Sequence, residues 1–275
     1  MRIKDSMPGI FQKAYPVLDP KTEMLPAMSL LRFHEIDALP LAFDGGGKRQ
    51  EHKQRAVFGF SSLVRLLLLK PKELGPFLKK PCETVSESLV TVGARQSLSS
   101  LLDAFARTRF GFARVEDGRN VGALAGLSDV LGLYETGAIA SDLTVRDVGS
   151  PILSTPGETT LRGALKVMFE KRYRRIFVSG EREFVSDRGI IGHIFAPTVL
   201  NSILQDGKDV LDTPVSVVEK TSAKEVQPDT HLKKAAGILR AEKAGQCLVF
   251  DGMVVTPWDI VMKPWKTKAL KLKTH

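Results

Sequence analysis

The sequence predicts an α+β chain built from four copies of one unit: strand, helix, two strands, helix. Three observations carry this. With Arg65, Asp129, Phe195 and Asp259 as corresponding points at helix starts, the intervals are 129−65 = 64, 195−129 = 66 and 259−195 = 64 residues. The two halves keep one offset, since 195−65 = 130 and 259−129 = 130. Leu39 and Ile176 lie further apart, 176−39 = 137, and the seven extra residues fall in the Gly45–Arg55 loop, where insertions cost least. Self-similarity that confines length changes to hairpin loops is the mark of a repeat architecture.

The elements follow in order. Residues 1–14 show no strong pattern, and Tyr15–Leu18 suits a short strand. Met24, Ala27, Met28, Leu30 and Leu31 recur at helical spacing, with Pro26 in the first turn, and form a face for core packing. Ile36–Phe43 alternates as a strand. Gly45-Gly46-Gly47, with Lys48, Arg49, Lys53 and Arg55, makes a hairpin loop and lacks the Gly-Lys-Ser/Thr ending of a phosphate-binding P-loop. Ala56–Ser62 reads as the partner strand and Leu63–Leu69 as a helix.

The second copy has Ser88–Val92 as a strand and Leu98, Leu101, Leu102 and Phe105 on a helix. Phe112–Val115 and Val121–Ala125 then form a hairpin about Glu116–Asn120, and a helix starts near Asp129. In the third, Thr144–Val148 leads in, and Leu161, Ala164, Leu165 and Met168 mark the helix. Ile176–Val178 is a strand and Gly189–Ile191 its partner. The fourth has Leu232, Ala235, Ala236 and Leu239 on the helix, then Leu248–Phe250 and Val254-Val255 joined by the turn signal Asp251-Gly252.

That last hairpin runs into Thr256-Pro257-Trp258-Asp259, the most informative stretch of the chain. Thr256 suits an N-cap, Pro257 the first helical turn, and Asp259 stands three residues after the cap. A hydroxyl, a carboxylate and free N–H groups at one helix start suit a phosphate, with the carboxylate open to a sugar's hydroxyls. The same residues also make a plain capping box.

Bulk properties bound the function. With 275 residues and 43% hydrophobic content the chain buries a core and is long enough for two ordinary domains. Cys82 and Cys247 have no metal-ligand spacing, and so few thiols point to a reducing, cytoplasmic setting. Residues 1–20 hold no apolar signal core, and the longest apolar run, Leu66–Leu69, is too short to span a bilayer. The net charge of +9 permits an anionic partner. His34, His52, His193, His231 and His275 are scattered, and Gly59–Leu63 lacks the second glycine of a nucleophile elbow, so no enzyme is predicted. Lys263, Lys266, Lys268, Lys271 and Lys273 form a basic C-terminal tail, read as solvated or, alternatively, as a contact for RNA or DNA phosphates.

From about Tyr15 to Pro264 the chain resembles tandem CBS domains. The resemblance rests on the repeated unit, on Ile36–Leu41 and Tyr173–Val178 at the second strands, on Val145-Arg146-Asp147-Val148 as a lead-in, and on Thr256-Pro257-Trp258-Asp259 as a Ser/Thr-x-x-Asp motif. It implies two CBS pairs, each of two units packed through their sheets: residues 1–139 (units about 15–70 and 81–136) and 140–275 (units about 144–203 and 212–266). It also implies an adenosine ligand, AMP, ADP, ATP or S-adenosylmethionine, with the aspartate on the ribose and the Ser/Thr on phosphate. The other copies carry Ser62 with Arg65, Gly126 with Asp129, and Gly192 with Phe195, so the fourth is the expected site and Asp129 a lesser one. Adenine would pack against Ala223, Lys224, Val226 and Gly245-Gln246-Cys247. The basic group Lys171, Arg172, Arg174 and Arg175 of the third unit would meet the phosphates. The expected role is a non-catalytic regulatory sensor, a homodimer acting on another protein. A nucleic-acid-binding protein and a ligand-free dimerisation scaffold are the alternatives.

Overall fold

Each repeat shares one local feature, a hairpin running straight into a helix. The computed structural model describes residues 2–12, 16–34, 36–42, 55–69, 73–109, 111–117, 122–180, 182–206, 209–242 and 246–272. The Gly45–Lys53 part of the basic loop, Tyr15, Gly245 and Lys273 lie outside them.

The repeats are clearest in their sheets. In repeat two, Thr91–Gly93 runs parallel to Phe112–Glu116, which pairs antiparallel with Gly122–Gly126. Repeat three repeats this with Ser154–Thr155, Arg175–Val178 and Glu183–Ser186, and repeat four with Lys224–Glu225, Leu248–Phe250 and Met253–Val255. Repeat one has the hairpin Ala38–Pro40 and Arg55–Phe58, with Leu18 bridged parallel to Leu41. Three sheets gain a further strand from the start of the neighbouring repeat. Glu87–Ser88 joins the sheet of repeat one, Thr221–Ser222 that of repeat three, and Ser150–Pro151 that of repeat four. Strand exchange thus links repeat one with two and three with four.

Helix packing links the repeats differently. The chain forms two compact units, one of Pro16–Ser88 and Leu153–Ser222, the other of Met1–Tyr15, Leu89–Ile152 and Ala223–His275. The first holds repeats one and three, the second repeats two and four. In the first, helix Gly59–Leu67 packs on Leu161–Lys171 and Asp187–Ile194, and Leu63, Leu66, Leu165, Met168, Ile190 and Ile191 share one buried core. In the second, Leu127–Glu135 packs on Leu232–Ala241 and Pro257–Lys266. No described helix is long and apolar enough to cross a membrane.

The α+β architecture and the repeats are as expected; several boundaries are not. The third-repeat partner strand is Glu183–Ser186, and Gly189–Ile191 lies inside helix Asp187–Ile194. Ser186 caps that helix by accepting from Gly189 N–H at 3.1 Å, and a capped first turn overrides the β-branched pair Ile190-Ile191. Strand Arg55–Phe58 likewise stops early, with helix Gly59–Leu67 following at once. The expected strand Ser88–Val92 is two strands in different sheets, Glu87–Ser88 and Thr91–Gly93. The first helical residues are therefore Gly59, Leu127, Asp187 and Pro257, at intervals of 68, 60 and 70. The halves differ by 187−59 = 128 there and by 174−37 = 137 at the residue before each second strand pair, so nine extra residues lie between, in the first hairpin.

One buried hydrogen bond shows how repeats two and four are fitted together. Pro264 lies inside helix Pro257–Lys266 and has no N–H for the carbonyl of Ile260. The phenol of Tyr134, 1% exposed, donates to that carbonyl at 2.9 Å. Burial also pushes the Tyr134 hydroxyl to a higher pKa, keeping it a neutral donor. Tyr134→Phe leaves a buried carbonyl unpaired, and we expect chemical denaturation to show a loss of about 1–3 kcal/mol.

The two kinds of linkage also set what half a chain does. A fragment of residues 141–275 keeps the strand exchange between repeats three and four but loses the helices that cover Leu165, Met168, Ala235 and Ala236. We expect it to fold and to dimerise through those faces. Sedimentation showing a folded monomer, or circular dichroism showing an unfolded chain, contradicts this.

Candidate functional site

The fourth helix start is assembled by strand register. Leu248 pairs with Val255 and Lys224 with Leu248, so Cys247, Thr256 and Ala223 meet at the end of the sheet opposite the Asp251-Gly252 turn. Val254 pairs with Ser150, which brings Gly149 and Ser150 to the same end. Thr256 N–H and Oγ1 donate to Asp259 Oδ2 at 2.9 and 2.7 Å, closing a capping box.

Capping alone does not single this site out. Thr144 N–H and Oγ1 donate to Asp147 Oδ2 at 2.7 and 2.8 Å, the same motif in the lead-in, and these bonds hold the Asp147 carboxyl below its usual pKa. Asp147 is exposed, whereas Asp259 is 6% exposed and carries further partners. Ser150 Oγ donates to Asp259 Oδ1 at 3.1 Å, and Lys263 Nζ stands 3.2 Å from the same oxygen. The sequence carries no signal for Ser150 here and shows Lys263 as part of a basic tail, solvated or in contact with nucleic-acid phosphates. Lys263 was legible as the i+4 partner of Asp259 on one helix face; Ser150 was not, being brought in by strand pairing alone. A later part of the tail pairs as well: Lys271–Leu272 joins Ile139–Ala140, and Lys271 Nζ bonds Asp142.

The corresponding helix starts differ. Counted from the observed first helical residues, the hydroxyl and carboxylate positions hold Phe58 and Ser61, Gly126 and Asp129, Ser186 and Gly189, and Thr256 and Asp259. This corrects the Ser62–Arg65 and Gly192–Phe195 assignments, which fall inside their helices or just past one; the asymmetry in favour of repeat four is unchanged. Asp129 Oδ2 accepts from Gly126 N–H at 2.8 Å and acts as a cap without a hydroxyl.

A second asymmetry comes from Pro257. In the other repeats the first helical N–H donates to the residue before the second strand: Gly59 to Asp37 at 3.1 Å, Leu127 to Gly111 at 2.9 Å, Asp187 to Arg174 at 3.1 Å. Pro257 has no N–H, so the carbonyl of Gln246 lacks this bond. The Gln246 side-chain Oε1 is buried and has no hydrogen-bond partner among the described residues. Cys247 is buried, Ala223 and Val226 half-buried, and Lys224 is exposed and paired with Glu242 at 2.7 Å. Trp258 is half-buried with Lys266 Nζ 5.9 Å from its ring centre.

Arg174 and Arg175 belong to the other compact unit, and Arg174 is already committed. Its Nε donates to Asp187 Oδ2 at 2.7 Å and its Nη2 to Asp37 Oδ1 at 2.6 Å. Arg188 Nη2 joins Asp37 at 2.8 Å. The guanidinium expected to meet a phosphate is thus held by two carboxylates. Arg175 lies 6.0 Å over the Phe184 ring.

No protein-family model and no curated protein matches the sequence. Solved structures do. Protein MJ1225 from Methanocaldococcus jannaschii, proposed as an archaeal homolog of g-AMPK, aligns over 96% of this chain and 99% of its own with a TM-score of 0.76 and 13% identity. A conserved protein from Pyrococcus horikoshii aligns over 96% of this chain and 100% of its own, with a TM-score of 0.52 and 13% identity. A shorter likeness, over 47% of this chain and 89% of the other, is to the CBS domain protein PAE2072 from Pyrobaculum aerophilum complexed with AMP (TM-score 0.35, 13% identity). The chain has the fold of paired CBS units. At these identities the likeness is one of fold and brings no ligand with it.

The Asp37 cluster yields a pH prediction. Burial works to raise the Asp37 carboxyl, but the charges and hydrogen bonds of Arg174 and Arg188 outweigh it and hold the group well below the usual carboxylate range. A depressed value contributes stability that is full above the unfolded pKa of about 3.9 and is lost as pH falls through the folded value. Asp37→Asn should melt earlier than wild type at pH 7, with the difference shrinking toward pH 2. A constant difference across that range would show that Asp37 does not act through its charge.

Proposed function

We propose that the chain is a non-catalytic regulatory sensor that binds an adenosine nucleotide at the helix start of repeat four. The observation that carries this is the chemical difference among four equivalent positions. Only repeat four joins a hydroxyl to a carboxylate, and there alone a proline at the first helical position leaves a neighbouring carbonyl without its usual donor. Asp259 supplies an acceptor for vicinal ribose hydroxyls, Thr256 and the helix N–H groups suit phosphate, and Gln246 offers hydrogen bonds to a base edge. Ala223, Val226 and Cys247 supply apolar contact, with Lys224, Pro257 and Trp258 at its border. Asp129 is a second, weaker position. The sensor acts by population shift, the ligand favouring one arrangement of repeats that a partner protein reads, and it works as a homodimer. Nucleic-acid binding is less favoured, because Lys263 and Lys271 of the basic tail already have protein partners.

Asp259→Ala should weaken AMP or ATP binding about ten- to a hundredfold, the worth of hydrogen bonds to a charged group, and Asp129→Ala less. Calorimetric titration of both variants checks this, with melting curves to verify folding. Wild-type affinity in folded Asp259→Ala would leave Thr256-Pro257-Trp258-Asp259 as a helix cap alone.

A further inference from the structure

The Asp259 carboxylate is ringed by three donors and a cation of its own chain. Its Oδ2 takes the Thr256 N–H and Oγ1; its Oδ1 takes the Ser150 hydroxyl and faces the Lys263 ammonium. A carboxylate offers about four lone-pair positions; three take hydrogen bonds, and the ammonium stands beside the remaining one as a charge. Lys263 is equally engaged: Nζ donates to Val148 O at 2.5 Å, Gly149 O at 2.9 Å and Ser150 Oγ at 2.9 Å. Ser150 therefore accepts from the ammonium and donates to the carboxylate. The ammonium sits in a nest of two carbonyls, a hydroxyl and a carboxylate, where a ribose would have to bind.

We propose that Lys263 is the resident competitor for the ribose position and restricts the site to adenosine ligands that carry a phosphate. The inference rests on the reading of repeat four as a nucleoside site. A ribose cannot use Oδ2 without opening the helix cap, so its hydroxyls must take Oδ1 from Ser150 and Lys263. An ammonium that leaves its carboxylate in a partly buried place needs another anion, because an unpaired buried charge is costly. A 5′-phosphate on the same ligand supplies that anion within the swing of the flexible lysine stem. Adenosine supplies none, and the sulfonium of S-adenosylmethionine adds a like charge. Lys263 thus turns a position that any ribose fits into one that favours nucleotides.

Lys263→Met keeps the aliphatic stem and removes the ammonium; Lys263→Arg keeps the charge. AMP, adenosine and S-adenosylmethionine are titrated by calorimetry against wild type and both variants, with melting curves to verify folding. Wild type should bind AMP at least about tenfold tighter than either other ligand. In Lys263→Met adenosine should tighten about tenfold and AMP weaken, so the preference collapses, while Lys263→Arg retains most of it. An AMP-to-adenosine ratio equal in wild type and Lys263→Met, or wild type that prefers S-adenosylmethionine, overturns the role of Lys263 and leaves the site standing. Absence of binding of all three ligands to wild type and Lys263→Met alike overturns the nucleoside site and the role of Lys263 together.

Discussion

A single repeat cannot complete itself, and the structure follows from that constraint. Its hairpin and parallel strand leave one sheet edge unpaired, and its helices carry an apolar face with nothing of its own to cover it. Unpaired edges invite unwanted association, and each uncovered Leu or Ile forgoes about 1.5–3 kcal/mol of burial. In repeats one, three and four the edge is closed by a strand from the adjacent repeat, as Ser150–Pro151 does beside Met253–Val255. The helix face is closed by a repeat two places away, as Leu161–Lys171 does on Gly59–Leu67. Different neighbours in the sequence thus meet the two needs.

Within that common frame, single positions have taken separate chemistries. The residue that strand register sets opposite the first helical residue is Asp37, Gly111, Arg174 or Gln246. Asp37 and Arg174 pair with each other, so equivalent positions become partners of opposite charge. Gly111 has φ +70°, and a Cβ there would come within 2.7 Å of Leu127, so no larger residue fits without strain. Gln246 keeps an unpartnered oxygen. The backbone bond to the helix start is retained in three copies and lost in the fourth, where Pro257 stands.

The fourth repeat was the most legible in the sequence, because its signals agree: a Gly-containing turn, β-branched strand residues, a threonine cap and a proline in the first turn. The third misled because Ile190-Ile191 looks like a strand, while Ser186, the true cap, follows only two apolar residues, Phe184-Val185. In the first, Gly59 at the first helical position hid the start. The nearly equal spacing of Arg65, Asp129, Phe195 and Asp259 arose because these points stand at different depths of their helices, the observed intervals between helix starts being 68, 60 and 70. At the candidate site the linear motif was visible, but its surroundings were not. Ser150 and Lys263 lie 113 residues apart, and Arg174 is taken by Asp37, 137 residues away. Such neighbours come from tertiary pairing, which periodicity does not encode.

The chain passes from one compact unit to the other at residues 15/16, 88/89, 152/153 and 222/223, so neither unit is a continuous stretch. Helix Gly59–Leu67 must wait for a partner that starts 161−59 = 102 residues later, and Leu127–Glu135 for one that starts 232−127 = 105 residues later. Loop closure over such distances precedes any reward from burial, which places the molecule among slow, high-contact-order folders. During synthesis the early repeats emerge with sticky helix faces and no cover. Interleaving thus postpones the covering of the early helix faces until the later repeats have been made, whatever the final stability.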